Sequence, residues 1–465
     1  MFKRVSFFDS HMHFLGIGFN MNIINLTKYN SLSDLHSIKS VKKIIIGRGW
    51  HEENFSEKSN PTKNDLNKIS SLVSVIFYRV CGHVLVCNDE AMEMAGIEKS
   101  SPQIEGGYFD VKTGIFTEDA LKLITKIIPK NSKEEIKQMF IESNKYLVSM
   151  GITSTASDDF STLNVPYELI IECLEELYND NLIQVRLYEQ ANLSSKELLL
   201  DFINKGYHKK KFKGFRMGPL KLLADGSLGG RTAYLNKDYN DDKGNKGIEV
   251  VKRQELEEMI YIADSNNMDV AIHAIGDGMI DIVINSIEKS INRTKRFNHR
   301  HSIIHAQLAT IAQIQRMKEL NISAIVQPIF LNSDIAIVED RIGKERAKES
   351  YLFHTMYKEG IKVGFSTDSP VETVNPFHNI YTALTRKSIK NPELGVFIED
   401  EKFTLDEALE CYTTNNYYLS YDENKNYNDY IVVDRDIHKC TPEEIRDTVV
   451  LETYIDGKLV YKRQD

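Results

Sequence analysis

The sequence predicts an α/β fold, a closed (β/α)8 barrel of the TIM type, with an inserted lid subdomain and a small β-appendage near the C-terminus. Eight apolar, strand-like runs follow one another along the chain, helical patterns separate most of them, and polar side chains stand at the ends of several runs. Such alternation is typical of a parallel sheet, and eight units favour its closure into a barrel. The alternative is a doubly wound open sheet, but no glycine fingerprint follows the first strand.

Each predicted barrel strand is a short apolar run that ends in a polar or turn-forming residue. The strands are expected at residues 5–8, 151–155, 184–188, 219–225, 269–273, 301–305, 323–328 and 362–368. Apolar residues at helical spacing predict helices at 165–178, 195–205, 255–266, 279–289, 311–320, 351–359 and 404–412. Ser195 and Thr404 stand where an N-cap residue is expected.

Residues 14–150 are too many for a single strand-to-helix connection, and they contain strand-like runs of their own at 43–50 and 73–80. We interpret them as a subdomain inserted after the first strand of a barrel domain that covers residues 1–425, and expect it above the C-terminal mouth of the barrel. Residues 426–465 are expected to form the β-appendage, a reduced β-sandwich. Asp456-Gly457 predicts a type I′ turn inside its last strand-like run.

Composition limits the classes of function. The formal net charge of −9 argues against a nucleic-acid-binding protein. Five scattered cysteines without CxxC spacing indicate a reducing compartment, and the sequence shows neither an apolar leader nor a run long enough to cross a bilayer. We therefore expect a cytoplasmic protein that binds neither nucleic acid nor membrane, and leave a homodimer open.

Polar side chains at the ends of predicted strands carry the chemistry. His11 and His13 alternate on the first strand, about 6.6 Å apart, so their rings can converge on one cation. The ends of barrel strands surround one cavity, which brings in the residues that end later strands, Lys221, His273, His305 and Asp368. These nitrogen and oxygen donors suit zinc-like ions. His301 shares a face with His305 but lies about 13 Å away along the strand, so we interpret it as structural.

Several short motifs occur in a characteristic order along the chain. They are DSHMH from Asp9, GRGW from Gly47, GH at Gly82, GIT at Gly151, KLLADGSLGGRTAYL from Lys221, HAIGD from His273, HAQ from His305 and STDSPV from Ser366. In these motifs the chain resembles the amidohydrolase superfamily, specifically its N-substituted-formamide-deformylase-like (YtcJ-like) branch. The resemblance implies a barrel with one or two divalent metals, and we expect two zinc ions per chain.

The resemblance also implies a role for each strand-end residue. His11 and His13 would hold the more buried metal, and His273 and His305 the more exposed one. Lys221, carboxylated on its amine, would bridge the two metals. Asp368 would be both a ligand and the catalytic proton shuttle, which takes a proton from a metal-activated hydroxide or water and returns it to the departing amine.

The expected activity is hydrolysis of a carbon–nitrogen bond other than a peptide bond, in a small amide, formamide or cyclic amide. A deaminase with a single metal and an esterase at the same site are the enzymatic alternatives. The third alternative is a degenerate, non-catalytic binding protein. Four more residues are candidates for substrate binding, namely His83, Glu118, Asp225 and Arg231. Asp225 shares a strand face with Lys221 and could also orient a metal ligand.

Two departures from the family pattern bear on these expectations. Relatives carry several dozen residues before the first strand, whereas four residues precede Val5 here, so we expect the C-terminal strands to lack their usual partner. Cys81 stands where relatives commonly have aspartate, and His51 follows Trp50 where they have an acid. Because both changes fall in the insert, no particular substrate can be transferred.

Overall fold

A computed structural model of the chain describes residues 2–39, 44–423 and 427–464. The strands, in chain order, are β1 (Phe2–Val5), β2 (Phe7–Met12), β3 (Ile24–Asn25), β4 (Ile44–Trp50), β5 (Ser74–Arg79), β6 (Val84–Cys87), β7 (Gly107–Asp110), β8 (Ile115–Glu118), β9 (Ile152–Ser157), β10 (Arg186–Asn192), β11 (Lys211–Phe212), β12 (Phe215–Leu223), β13 (Val270–Ala274), β14 (Ser302–His305), β15 (Ser323–Val326), β16 (Val363–Phe365), β17 (Tyr430–Val433), β18 (Val450–Ile455) and β19 (Lys458–Lys462).

The α-helices, in chain order, are α1 (Phe14–Met21), α2 (Leu32–Leu35), α3 (Lys63–Ile69), α4 (Asp89–Met94), α5 (Leu121–Thr125), α6 (Lys133–Ser149), α7 (Tyr167–Asn179), α8 (Lys196–Asn204), α9 (Arg253–Ser265), α10 (Asp277–Thr294), α11 (Ile311–Glu319), α12 (Leu331–Asp334), α13 (Val338–Ile342), α14 (Lys344–Ala347), α15 (Phe353–Lys358), α16 (Pro376–Thr385), α17 (Leu405–Tyr412), α18 (Thr414–Leu419) and α19 (Pro442–Arg446). Within the described part of the chain, no helix combines the length and the apolar character of a membrane span.

Eight parallel strands form the barrel sheet, and each overlaps a run that the sequence predicts. Their hydrogen-bonded order is β16-β15-β14-β13-β12-β10-β9-β2, with the short β11 antiparallel to β12. Backbone hydrogen bonds from Asp368 N to His11 O (3.0 Å) and from His13 N to Ser369 O (2.9 Å) link the chain beyond β16 to β2. This closure confirms the predicted (β/α)8 fold class, and it brings the first and last strands of the barrel side by side.

Local sequence explains why these elements form where they do. Every residue of β13 is buried, as expected of a parallel strand that helices cover outside the barrel and side chains cover inside it. The hydroxyl of Ser195 accepts a hydrogen bond from Leu198 N (3.2 Å) and starts α8. Thr404 and Glu407 form a capping box at the start of α17. The predicted caps are therefore confirmed.

The chain divides into two compact units, and the second consists of Ile17–Glu135 and Leu163–Val165. The second unit contains a six-stranded mixed sheet in the order β3-β4-β5-β6-β8-β7. Strands β4 and β5 match the predicted runs 43–50 and 73–80, although Lys43 lies outside the described residues. The predicted boundaries of the insert (14–150), the barrel (1–425) and the appendage (426–465) stay predictions, and the 425/426 boundary also lies outside the described residues.

The C-terminal strands form a four-stranded antiparallel sheet in the order β1-β17-β18-β19. The expectation that they lack an N-terminal partner is wrong, because β1 pairs with β17 from Phe2–Val433 to Val5–Tyr430. The sequence-based interpretation merged two strands into one, whereas Ser6 separates β1 from β2, so the few residues before the barrel suffice to build an edge strand. Asp456 and Gly457 both have positive φ (50° and 75°), as the predicted type I′ turn requires.

A buried charge cluster stabilises the barrel end opposite the strand-end residues. Asp264, at the end of α9, accepts hydrogen bonds from Arg296 (2.9 Å), Ser290 (2.8 Å) and Thr294 (2.6 Å). His301 Nε2 lies 3.2 Å from the same carboxylate, which agrees with the structural role predicted for His301. Burial raises the pKa of Asp264, but these donors outweigh it and bring the pKa well below its usual value.

We expect Asp264→Asn to lower the free energy of unfolding by about 3 kcal/mol at pH 7, because it removes the charge of a buried carboxylate that accepts hydrogen bonds from Arg296, Ser290 and Thr294, and leaves Arg296 with Asp269 alone as its carboxylate partner. The depressed pKa of Asp264 means that its contribution is present above the unfolded-state pKa and is lost as pH falls through the folded-state pKa. Urea denaturation of the wild type and of the Asp264→Asn variant should therefore show a difference in free energy of unfolding that becomes smaller as pH falls below about 4. A difference that stays constant down to acid pH would contradict this assignment.

Candidate metal centre

Two histidines and an aspartate converge where the first and last barrel strands meet. His11 is buried in β2, His13 directly follows that strand, and Asp368 lies beyond β16. The Oδ1 atom of Asp368 is 3.2 Å from His11 Nε2 and 3.1 Å from His13 Nε2. One ligand atom from each of the three residues lies within 4.8 Å of the others, a grouping that can hold a metal ion.

The outer contacts of these two rings determine which nitrogen carries the proton. His11 Nδ1 lies 2.6 Å from Gln190 Oε1, and His13 Nδ1 lies 2.9 Å from the carbonyl oxygen of Asp158. The Gln190 amide is oriented by its own Nε2, which donates to Ser10 O (3.1 Å). Since both partners are acceptors, each Nδ1 donates and each neutral ring keeps a lone pair on Nε2. Two nitrogen lone pairs and a carboxylate oxygen then face each other, an arrangement that a cation stabilises.

His305 and His273 extend the group along the next strands. His305 ends β14, and its Nδ1 lies 2.7 Å from Gln327 Oε1, whose amide Nε2 in turn donates to Ser366 Oγ at 2.7 Å. His273, on β13, has its Nε2 3.1 Å from the carbonyl oxygen of Gly226. The His305 ring centroid lies 4.4 Å from that of His273 and 6.1 Å from that of His11. All four histidines therefore place one ring nitrogen on an oxygen acceptor, as metal-binding histidines do.

Lys221 joins the same cluster from β12. Its Nζ lies 3.3 Å from Asp158 Oδ2, and both side chains are 2% exposed. Asp158 also connects Lys221 to the histidines, because its main-chain carbonyl accepts a hydrogen bond from His13 Nδ1 (2.9 Å). The structure thus brings together the six residues that the sequence predicts as ligands.

Burial and charge set different protonation preferences within the cluster. Burial lowers the pKa of His305 to about 3 and also lowers that of His11. Burial would lower the pKa of His13 as well, but its hydrogen bond to Asp368 and the charge of that carboxylate raise it. Burial raises the pKa of Asp368, yet the hydrogen bonds and charge that His11 and His13 supply when their rings are protonated bring it well below its usual range. Asp368 is therefore a carboxylate, the form that binds cations.

Backbone strain coincides with two of these residues. His305 has φ 77° and Asp368 has φ 54°, both in the left-handed region that non-glycine residues seldom adopt. Each such residue costs of the order of 1–3 kcal/mol and is typically found at functional sites. Both strained residues are members of the cluster.

The four candidate substrate-binding residues have different surroundings. His83 and Glu118 form an ion pair (2.9 Å) in the second unit; burial would lower the pKa of His83, but Glu118 raises it to about 9. Arg231 lies 2.9 Å from the carboxylate of Asp241.

Asp225, the fourth candidate, is fully buried in the turn after β12. It accepts hydrogen bonds from the backbone of Ile275 (3.0 Å) and Gly276 (2.9 Å) and lies 3.5 Å from His273 Nε2. It therefore fixes the loop after β13 and lies beside the His273 ring.

Sequence reasoning missed three residues that contact the predicted ligands. Asp158 follows β9, Gln190 lies near the end of β10, and Gln327 follows β15. All three stand at or near the C-terminal ends of barrel strands. The rule that identified the histidines would therefore have found them, had it been applied to amides and to every carboxylate.

Comparison with known proteins agrees with this geometry. A family model described as "Amidohydrolase family" matches residues 6–461. The chain belongs to the amidohydrolase family. This membership confirms the resemblance seen in the motifs, and it implies a hydrolase with a divalent metal that acts on small molecules.

Three relatives of this amidohydrolase illustrate the similarity. YtcJ of Bacillus subtilis (strain 168), named as an amidohydrolase, is 30% identical over 98% of this chain and 88% of its own. The N-substituted formamide deformylase of Arthrobacter pascens is 23% identical over 90% of this chain and 79% of its own. A crystal structure described as a metal-dependent hydrolase from Pyrococcus horikoshii OT3 superposes with a TM-score of 0.75 at 28% identity, covering 94% of this chain and 87% of that one.

Gln327→Leu in this amidohydrolase should weaken metal binding by about 10- to 100-fold, because His305 Nδ1 loses the acceptor that holds its proton. Competition with a chromophoric chelator measures the change. Gln327→Glu keeps an acceptor at the same place and should bind within a few-fold of wild type. Equal weakening by both substitutions would show that only packing matters there.

Proposed function

We propose that this amidohydrolase hydrolyses a carbon–nitrogen bond other than a peptide bond, in a small amide, formamide or cyclic amide, with two zinc ions per chain. His11, His13 and Asp368 would hold one ion, and His273 and His305 the other. Lys221, carboxylated on Nζ, would bridge the two. The observation that carries the proposal is the convergence of histidine nitrogens, each oriented by an oxygen acceptor on its other side, upon the Asp368 carboxylate.

The donor set of the cluster fits divalent ions of the zinc class. Neutral imidazole and carboxylate are the ligands that such ions take in catalytic sites. The acceptors at His11 and His305 are amide oxygens of buried glutamines, so these rings keep their orientation before any ion is bound. A bound divalent ion acidifies water and polarises a carbonyl oxygen.

Asp368 performs the proton transfers in this proposal. Its carboxylate is ionised, so it can take a proton from the attacking water and deliver it to the leaving nitrogen. Protonation of that nitrogen is required because an amine anion is a poor leaving group. His273, whose Nε2 contacts the carbonyl oxygen of Gly226, and His305 complete the centre, and Arg231, His83 and Glu118 remain candidates for contacts with substrate.

The formamide and amide classes are favoured by the deformylase activity named for one relative. Lys221 favours a centre with two ions over the deaminase alternative, which needs one. The scattered, odd-numbered cysteines support a cytoplasmic location.

Metal analysis combined with a substrate screen tests the proposal. Protein purified without chelator should contain about two zinc ions per chain, and zinc-loaded protein should release amine from N-formyl, N-acyl or cyclic amides. Removal of the metal should abolish turnover, and added zinc should restore it. One ion per chain with release of ammonia from an aminated ring would favour the deaminase instead, and protein that binds no metal would overturn the proposal.

A further inference from the structure

Asp158 contacts two of the proposed metal ligands from one position. It lies directly beyond β9, its Oδ2 is 3.3 Å from Lys221 Nζ, and its main-chain carbonyl accepts a hydrogen bond from His13 Nδ1 at 2.9 Å. The residue is 1% exposed, so solvent does not compete for either contact. One residue therefore connects His13, which follows β2, with Lys221 on β12.

The Asp158 carboxylate is fixed on one side and unsatisfied on the other. Asn192 Nδ2 donates to Oδ2 (3.0 Å) and also to Ser161 Oγ (3.1 Å), which fixes the carboxylate orientation. The buried Oδ1 atom has no hydrogen-bond partner among the described residues. A buried carboxylate with an unsatisfied oxygen carries an energetic cost, although removing it alone would leave Lys221 as a buried charge without its partner. Such a cost is typical of a residue that has a role in a functional site.

We infer that Asp158 is a positioning residue that holds Nζ of Lys221 toward the metal centre; the inference rests on the proposed function. The lysine side chain has four rotatable bonds, so its tip needs a fixed partner to point in one direction. The ammonium group of Lys221 forms an ion pair with Oδ2 at 3.3 Å, and a carboxylated amine keeps one N–H that can point to the same oxygen. Asp158 can therefore hold Lys221 both before and after carboxylation. Its carbonyl orients His13 independently of the side chain.

The test is a double-mutant cycle on zinc affinity, measured by titrating metal-free full-length protein against a chromophoric chelator. Asp158→Asn keeps the shape of the side chain and its contact with Asn192 but removes the charge. It should weaken zinc binding by about tenfold, as loss of an outer contact typically does. In a Lys221→Met background the same change should alter the affinity less than twofold, because the group that Asp158 positions is gone. Equal weakening in both backgrounds, or none in either, would overturn the inference.

Two further variants keep the test decisive. Asp269→Asn, the matched control, removes another buried carboxylate that pairs with a cation, Arg296, at the other end of β13. It should leave zinc affinity unchanged. If Asp158→Asn fails to fold, Asn192→Ala takes its place, since it frees the carboxylate without removing it, and it should weaken zinc binding only where Lys221 is present.

The outcomes separate this inference from the proposed function. A wild-type chain that binds no zinc would overturn the proposed function and this inference with it. Zinc binding in the wild type that Asp158→Asn leaves unchanged would overturn the inference alone.

Discussion

Replacement of Asp368 by asparagine should lower kcat by about 10³-fold for any substrate that the screen identifies, while the chain stays folded. The amide of asparagine has nearly the shape of the carboxylate but no basic oxygen. It can neither take the proton from the attacking water nor return it to the leaving nitrogen. The Oδ1 atom that would do so lies between His11 Nε2 and His13 Nε2, at 3.2 and 3.1 Å.

Metal content must be measured alongside the rate, because Asp368 is proposed as a ligand as well as a proton shuttle. Turnover per bound zinc at saturating metal isolates the proton-transfer role from loss of the ion. Asp269→Asn is again a suitable control, since it neutralises a buried aspartate far along β13 from His273 and should leave kcat unchanged. Near wild-type turnover per bound zinc in the Asp368→Asn variant would refute the shuttle.

The barrel and the convergence of the proposed ligands could be predicted because both depend on local signals. Each barrel strand is an apolar run, and each proposed ligand stands at or near the end of one. The ends of barrel strands surround one cavity regardless of the lengths of the loops between them. His11 and Asp368 could therefore be placed together although more than 350 positions separate them. The turn at Asp456-Gly457 was equally predictable, since positive φ at both central residues selects such a pair.

Pairing between distant segments could not be predicted. All four positions of the strand Phe2–Val5 are charged or exposed, and the strand carries no apolar alternation that would mark it as a partner of Tyr430–Val433. Only the closed barrel, which brings the two chain ends together, creates that sheet. The outer contacts of the ligands are hidden for a similar reason. The strand-end rule can place Gln190 and Gln327 near the ligands, but which ring nitrogen each amide contacts depends on three-dimensional geometry that has no sequence pattern.

Lys221→Met should reduce zinc content from two ions to one per chain and abolish most of the turnover, because the substitution removes the bridging group but keeps a side chain of similar length. In the metal-free chain it should also lower the free energy of unfolding by about 3–5 kcal/mol, since Asp158 becomes a buried charge without its cation. Metal analysis measures the first effect, and urea denaturation of metal-free protein measures the second.

A second substitution, Asp158→Asn, separates the effect on zinc content from the effect on stability. In the Lys221→Met/Asp158→Asn variant the unpaired charge is gone, so the stability should return toward the wild-type value, whereas the second ion should stay absent. That result would assign the loss of metal to the missing lysine and not to a weakened fold. If the wild type holds one ion and Lys221→Met still holds one, Lys221 serves only as the partner of Asp158, and the single-metal deaminase becomes the better account of this site.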